Sequence, residues 1–275
     1  MKVLLLGSTG MLGCGVSSAF EGESDFEVHR AYRDSEAFNL LSNKKNGVKF
    51  DCEKDDLGKL LDRVAPDCVI NCIGVIKPFI SKSIESAIYI NSIFPHKIAS
   101  VCESKNIKSI HITTDCVYTG NTGAYTEKDP HDEQDIYGRS KSLGEPSNCM
   151  VVRTSIIGEE IHKKASLVEW VKSSKNGNVN GFTDHLWNGI TTKQFGKACI
   201  SILKNNWYEH KKRHVFTPGA VNKYELLGLL NDRFKLNLNI AAVSSPRKVD
   251  RTLATTEDLS SKLKIPTLKE QLNDI

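Results

Sequence analysis

The chain has 275 residues, of which 39% are hydrophobic and 25% charged, a composition typical of globular proteins. Its 37 basic and 33 acidic residues give a formal net charge of +4, and no basic block is long enough to predict a nucleic-acid arm. No apolar run approaches the roughly 18 residues of a membrane helix, and glycine breaks the first apolar stretch too early for a secretory signal. We therefore expect a cytoplasmic protein without nucleic-acid or membrane partners.

Short apolar strands alternate with helices through the first half of the chain. The predicted strands are 3–6, 26–32, 68–73, 109–113 and 150–154. The helices predicted between them are 11–20, 55–64, 84–103 and 137–144. This order predicts βαβ units, and hence an α/β fold with a doubly wound parallel sheet covered by helices on both faces.

The alternation loosens after about residue 155, where turn signals become frequent and one clear helix is predicted over 223–234. No Gly/Ser-rich linker separates the two parts. We expect a dinucleotide-binding domain over 1–158, and a smaller lobe over 159–275 that is interleaved with the last elements of the sheet and binds mainly substrate.

A glycine-rich turn follows the first predicted strand and opens the first helix. Gly7, Gly10 and Gly13 form a GxxGxxG pattern, with Thr9 and the pair 11–12 (Met11 and Leu12) between them. Glycines at such a turn let the backbone approach a pyrophosphate, and the helix N-terminus offers free N–H groups to its oxygens. The position in a βαβ series favours nucleotide binding over a turn that merely tightens the strand–helix connection.

The end of the second predicted strand bears on the choice of dinucleotide. Arg33 lies where a guanidinium could bind an adenosine 2′-phosphate, and Asp34 could instead accept from a ribose hydroxyl. Alternatively, Arg33 and Asp34 belong to a salt-bridged surface turn without a binding role. We expect NADP(H), with NAD(H) as the alternative.

A threonine, a tyrosine and a lysine follow in an order that suits proton transfer. Thr114 comes after a predicted strand, and Tyr137 and Lys141 form a YxxxK pattern on the next helix. The i, i+4 spacing puts the last two on one face. A lysine cation lowers the pKa of a nearby phenol, so that the tyrosine can exchange a proton with a carbonyl or an alcohol. YxxxK alone is common on solvated helices, and the chain order favours the functional interpretation.

The eight cysteines are scattered, without a CxxC pair or a Cys/His spacing of zinc type. Several lie in apolar runs, where a reduced thiol packs as a small hydrophobic group. We predict eight structural thiols in a reducing compartment and no metal site.

On these segments the sequence resembles the extended branch of the short-chain dehydrogenase/reductase superfamily, and within it the dTDP-4-dehydrorhamnose reductase group. The resemblance covers nearly the whole chain and is strongest up to about residue 158. The segments that carry it are 7–13, 71–74, Glu85 with Asn91, 113–118, 137–141 with 144–145, and 152–155.

The resemblance implies a Rossmann-type fold, a possible homodimer, and Thr114, Tyr137 and Lys141 as catalytic residues. It also places Asp51 beside the adenine, Cys72, Ile73 and Gly74 along the cofactor, and Thr154 near the nicotinamide. The implied activity is NADPH-dependent reduction of the 4-keto group of a nucleotide-activated 4-keto-6-deoxy sugar, in the synthesis of a deoxysugar for a surface glycan.

The substrate side is expected at Lys77, His185, Trp187 and Asn188, although segment 181–189 follows the family pattern only loosely. Cys116 also stands where the family usually has an aromatic residue. Two alternatives stay open: a sugar-nucleotide epimerase or dehydratase of the same superfamily, and a non-catalytic NADP-binding regulatory subunit. The dehydratase pattern usually carries acids directly beside the threonine, and here a second acid is missing after Asp115.

Overall fold

The computed structural model describes residues 1–275. Its strands are β1 Lys2–Leu6, β2 Glu27–Tyr32, β3 Gly47–Lys49, β4 Cys68–Asn71, β5 Lys108–Thr114, β6 Met150–Thr154, β7 Ile156–Ile157, β8 Asn178–Phe182, β9 His185–Trp187, β10 Ile190–Thr191, β11 Lys212–His214, β12 Val221–Asn222, β13 Asn239–Val243 and β14 Val249–Asp250.

The helices are α1 Met11–Ala19, α2 Ser35–Asn39, α3 Leu57–Val64, α4 Lys77–Ile80, α5 Ile84–Ile88, α6 Phe94–Ser104, α7 Ile136–Leu143, α8 Leu167–Ser173, α9 Thr192–Lys204, α10 Lys223–Phe234, α11 Leu259–Leu263 and α12 Leu268–Leu272. A π-helical turn, Tyr89–Ile93, joins α5 to α6, and a 3₁₀ turn, Asp115–Val117, follows β5.

Seven parallel strands form the central sheet in the order β11-β6-β5-β4-β1-β2-β3. The chain winds outwards from β1 in one direction and from β4 in the other. The topological switch point therefore lies between β1 and β4, where ligands of open α/β sheets bind at the carboxyl ends of the strands. The predicted doubly wound, Rossmann-type α/β fold is confirmed.

Two apolar layers cover the sheet. On one face, the helices α1 and α9 pack through buried side chains such as Val16 and Phe195, against strand residues such as Leu5 and Ile110. On the other face, α3 and α6 bury Leu61 and Phe94 against strand residues such as Leu4. The apolar strand runs thus face helices on both sides, which is why these strands do not show a polar face.

The second lobe has its own small core. The helices α8, α10 and α12 enclose buried residues such as Val168, Leu227 and Leu272 beside the β8–β13 pair. The lobe is not separate from the sheet, because β11 is the edge strand of the sheet and α9 packs on α1.

The structure differs from the predicted elements in several respects. The predicted long helix 84–103 is divided into α5, the π-helical turn and α6, with Pro95 at the start of α6, where its missing N–H costs least. The short elements α2 and β3 and the strands of the second lobe carry too little periodicity to be predicted from the sequence.

No helix combines the length and the apolar character that crossing a membrane would require.

Candidate active site

A cleft of about 690 Å³ opens at the carboxyl ends of the central strands, between the sheet and the second lobe. Its lining includes the glycine turn after β1, the segment after β4, the end of β5, and the segment that follows β6. This volume lies within the range of small-molecule sites, and the position is that of the topological switch point.

The glycine turn has no room for side chains at two of its positions. Gly7 has a φ of +77°, and a Cβ there would lie 2.9 Å from Ile73 Cγ1. A Cβ on Gly13 would lie 2.1 Å from the carbonyl oxygen of Gly7. Gly10 is the N-cap of α1 and supplies no side-chain cap, so the first N–H groups of the helix stay free beside the cleft. This cradle fits the diphosphate of a dinucleotide.

The end of β2 contributes one side of the cleft. Arg33 lines it with its side chain 59% exposed, and its only ion pair is a loose one with Glu53, at 3.8 Å between Nη1 and Oε2. Oδ1 of Asp34 accepts from the N–H groups of Glu36 and Ala37 and caps α2. These hydrogen bonds hold the pKa of Asp34 below its usual value. The guanidinium is thus free for a ligand, whereas the carboxylate is engaged.

Other predicted cofactor residues are divided between two places. Thr9, Met11, Leu12, the segment 72–74 (Cys72, Ile73 and Gly74) and Thr154 line the cleft. Asp51 lies in an adjoining polar depression, which Arg33 and Asp34 also line.

Thr114, Tyr137 and Lys141 come together in the cleft. Thr114 ends β5, and its Oγ1 accepts from Cys116 N at 3.1 Å. Tyr137 and Lys141 lie on α7, which starts at the N-cap Asp135, whose carboxylate accepts from Gly138 N. The helix can lie close to the 3₁₀ turn because position 138 is a glycine: a Cβ there would be 2.6 Å from the Cys116 carbonyl oxygen.

Lys141 is buried, and its Nζ donates to one group of the protein, the carbonyl oxygen of Ile112 at 3.2 Å. Burial lowers the pKa of this ammonium to about 8, and Glu145 opposes the shift. Two of its three hydrogens therefore have no partner within the protein.

Burial is also the main influence on Tyr137, and it raises the pKa of the phenol above its usual value. Cys116 adds to the rise in the pKa, whereas the nearby Thr114 hydroxyl lowers it. In the protein alone, Tyr137 is therefore a protonated phenol at neutral pH and can serve as a proton donor.

The predicted substrate residues do not all reach the cleft. Lys77 lines it, with Nζ 2.5 Å from Asp135 Oδ2 and 5.8 Å from the centre of the Tyr137 ring. His185, Trp187 and Asn188 do not line the cleft. These three side chains instead make contacts with other parts of the protein.

Each of these three side chains has a packing partner of its own. Trp187 is buried in the core of the second lobe. The amide of Asn188 exchanges two hydrogen bonds with the backbone of Leu253, at 2.8 and 2.9 Å. His185 Nε2 is 2.9 Å from Ser245 Oγ. These contacts place the three side chains outside the cleft lining, and their role in substrate binding stays a prediction.

Some lining residues were not predicted from the sequence. Asp115 is buried beside Thr114, and several residues of the segment 158–168 also line the cleft. Nζ of Lys163 in this segment lies 4.8 Å from the centre of the ring of Phe79, which also lines the cleft. Thr113 Oγ1 is buried without a hydrogen-bond partner and belongs to the same lining. Only the position of Asp115 directly after Thr114 offered a signal in the sequence.

The eight cysteines are all free thiols. No group of three or more His, Cys, Asp or Glu side chains is arranged to hold a metal ion.

Three curated relatives span most of the chain. It is 23% identical over 250 residues to methionine adenosyltransferase 2 subunit beta of Danio rerio, covering 86% of this chain and 74% of the relative. It is 28% identical over 217 residues to a probable low-salt glycan biosynthesis reductase of Haloferax volcanii, covering 74% and 70%. A spore coat polysaccharide biosynthesis protein of Bacillus subtilis is 26% identical over 261 residues, with 91% and 86% covered.

Solved structures share the fold. A hypothetical dTDP-4-dehydrorhamnose reductase from Sulfolobus tokodaii superposes with a TM-score of 0.78 at 22% identity, covering 98% of this chain and 97% of the other. A dTDP-4-dehydrorhamnose reductase from Bacillus anthracis, in complex with NADP, superposes with a TM-score of 0.75 at 18% identity, covering 99% and 97%.

The family described as the RmlD substrate binding domain matches residues 1–270. The match includes both the glycine turn and the second lobe, and agrees with the resemblance inferred from the motifs. The chain belongs to the RmlD substrate-binding domain family.

Proposed function

We propose that this protein is an NADPH-dependent reductase of the 4-keto group of a nucleotide-activated 4-keto-6-deoxy sugar. The observation that carries the proposal is that Thr114, Tyr137 and Lys141 line the same cleft as the glycine turn. The relatives named as a glycan biosynthesis reductase and a spore coat polysaccharide biosynthesis protein support a role in glycan synthesis.

The cleft fits a dinucleotide. Gly7 and Gly13 keep the turn tight, because a Cβ at either position would clash with neighbouring protein atoms. Beside this turn α1 presents free N–H groups, and the Thr113 hydroxyl lacks a protein partner. A reduced dinucleotide bound there would supply a hydride to a carbonyl carbon, and the protein would supply position and electrostatics. Arg33 supports NADP(H) over NAD(H), because its guanidinium is free for a 2′-phosphate while Asp34 is engaged as a cap.

Three side chains then take part in proton transfer to the substrate. Tyr137 gives its phenolic proton to the oxygen of the carbonyl that is being reduced. The buried Lys141 ammonium stabilises the phenolate that remains, because a nearby cation acts strongly in a site shielded from water. The Thr114 hydroxyl, which accepts from Cys116 N, hydrogen-bonds the substrate oxygen in the same cleft. Simple reduction is favoured over dehydration because Asp115 is followed by Cys116 instead of a second acid.

NADPH oxidation by a panel of 4-keto-6-deoxy nucleotide sugars, prepared in situ by their dehydratases, tests the proposal. We expect turnover with one member and slower turnover with NADH. Tyr137→Phe should lower kcat by about 10²–10⁴-fold, since it removes the proton donor, and should leave NADPH binding unchanged. Arg33→Ala should weaken NADPH more than NADH binding, which fluorescence titration measures.

A non-catalytic binding subunit is the second candidate, favoured by the relatives named methionine adenosyltransferase 2 subunit beta. Tight NADPH binding without turnover across the whole panel would reject the reductase and support this candidate. Tyr137→Phe would then leave every measurable property of the protein unchanged.

We also infer a homodimer in a reducing, cytoplasmic compartment. The exposed side chains of Ile93 and Leu143 line one groove beside α6 and α7, where a second copy could cover them. The eight unpaired thiols support the compartment. Sedimentation of the wild type and of Leu143→Glu tests the dimer, which the added charge should weaken.

A further inference from the structure

The polar depression in which Asp51 lies carries more acids than bases. Three cationic and four acidic side chains line it, a formal charge of −1. Arg33 lines both this depression and the cleft, so it joins the two. A phosphate monoester carries a charge of about −1.5 to −2 at neutral pH. The acids around Arg33 therefore bear directly on how well its guanidinium binds a 2′-phosphate.

Three of the four acids are engaged with the backbone. Asp34 caps α2. Oδ1 of Asp51 accepts from the backbone N–H of Glu53 at 3.1 Å, and Oδ2 of Asp55 accepts from the backbone N–H of Asp51 at 2.7 Å. These hydrogen bonds use the carboxylates to build the turns of the depression, and none of the three makes an ion pair with Arg33.

The fourth acid, Glu53, has different partners. Its Oε1 accepts from the Ser86 hydroxyl of α5 at 2.6 Å, and its Oε2 lies 3.8 Å from Arg33 Nη1. The contact with Ser86 fixes one oxygen of the carboxylate and keeps the other near the guanidinium. A separation of 3.8 Å is too long for a hydrogen bond. Arg33 thus keeps its N–H groups for a ligand but stays in the field of an anion.

We propose that Glu53 is a specificity-determining residue, which weakens the binding of a 2′-phosphate at Arg33 and so reduces the preference for NADP(H) over NAD(H). The carboxylate attracts the guanidinium that the phosphate needs, and it repels the phosphate. NAD(H) has no 2′-phosphate and is spared both effects. This inference rests on the proposed function, since it concerns the cofactor that the reductase would use.

Glu53→Gln tests the role of the charge. The amide oxygen of glutamine can still accept from the Ser86 hydroxyl, so the side chain keeps its place while the negative charge is removed. Fluorescence titration of the full chain should show the Kd for NADPH fall by about three- to tenfold, with the Kd for NADH changed by less than about twofold. The gain should shrink as salt is added, because the pair with Arg33 is exposed to solvent.

Glu36→Gln is the matched control. Glu36 is an exposed acid in the first turn of α2, close to Arg33 in the chain, and it lines neither the depression nor the cleft. The substitution makes the same change of charge, and both Kd values should stay within about twofold of the wild type. Equal gains in NADPH affinity from both variants would show an effect of net charge alone and would overturn the proposal.

The double variant with Arg33→Ala tests whether Glu53 acts at the guanidinium. Without Arg33 the phosphate loses the group that holds it, so Glu53→Gln should change the Kd for NADPH by less than about twofold. Side chains that act on one another give such non-additive effects. A gain of full size in the Arg33→Ala background would overturn the proposal, and Glu53→Ala replaces Glu53→Gln if that variant does not fold.

Because these titrations need no turnover, they keep the inference distinct from the reductase assignment. The expected Kd changes in a protein that turns over no sugar nucleotide would support the role of Glu53 and reject the reductase. Turnover with an unchanged ratio of the NADPH and NADH Kd values in Glu53→Gln would overturn the role of Glu53 alone. Failure of the wild type and of Glu53→Gln to bind NADPH would overturn both.

Discussion

Two buried cations in this protein have opposite surroundings. Arg153, on β6, makes two hydrogen bonds to Glu145, at 2.7 and 3.1 Å, and one to the Tyr118 hydroxyl at 2.6 Å. Its remaining contacts are with the ring nitrogens of His131 and His214, at 2.8 and 2.7 Å. The guanidinium is thus surrounded by acceptors.

Lys141, on α7, donates to a single carbonyl oxygen. Charge burial without full pairing is costly, and a fold tolerates it where a ligand or a reaction needs the charge. The number of hydrogen-bond partners therefore separates the two roles. The fully paired Arg153 links β6, β11 and the segment before α7, whereas the poorly paired Lys141 lies in the cleft. The following predictions test that distinction.

The largest effect is expected at Arg153. Arg153→Met removes the cation and leaves Glu145 buried without its principal partner, which should destabilise the fold by about 3–5 kcal/mol. Urea denaturation measures the loss. Lys212→Ala is the control, because Lys212 Nζ lies 3.4 Å from the same carboxylate but its side chain is 44% exposed, so a loss of about 0–1 kcal/mol is expected. Equal losses in both variants would contradict the distinction.

At Lys141 the effect of substitution on folding stability should have the opposite sign. Lys141→Met keeps a long apolar stem and removes a poorly paired charge, so the free energy of unfolding should stay equal or rise while turnover is lost. Burial lowers the pKa of Lys141 to about 8, whereas an unfolded lysine has a pKa of about 10.4. The unfolded chain thus binds more protons between these values, and wild-type stability should gain up to about 3 kcal/mol from Lys141 as pH rises through this window.

Lys141→Met should remove this part of the pH dependence, as urea denaturation from pH 7 to 10 would show. Parallel stability curves of the variant and the wild type would show that the ammonium is well solvated or paired, contrary to the structure.

A smaller effect is expected from the two histidines. Burial lowers the pKa values of His131 and His214, and Arg153 lowers both further. Each ring accepts from the guanidinium through an unprotonated Nε2, so protonation costs a hydrogen bond. Stability is therefore fully present above the unfolded pKa of about 6.5 and falls below it, by up to about 1.4 kcal/mol per histidine for each pH unit.

Thermal denaturation from pH 7.5 to 5 measures this loss, and His131→Gln should reduce it. His96→Gln, at an exposed position on α6, should leave it unchanged. An equal acid sensitivity in all three proteins would exclude the Arg153 cluster as its source.

The first half of the fold could be predicted from the sequence, because its strands and helices carry strong local patterns. Apolar runs such as 68–71 and the helical spacing of 57–64 record burial by the sheet and its covering helices. The YxxxK pair, Tyr137 and Lys141, and the glycine turn are short motifs that can be read from the sequence. The second lobe differs, because its strands are two to five residues long and pair with distant segments, as β8 does with β13.

The sequence by itself thus determined the fold class and the family, because local periodicity and motif spacing encode them. Only the tertiary structure decided which polar side chains are satisfied. It committed Trp187 and Asn188 to packing and left Lys141 with one partner. Burial and pairing depend on contacts between segments far apart in the chain, and no local pattern records them.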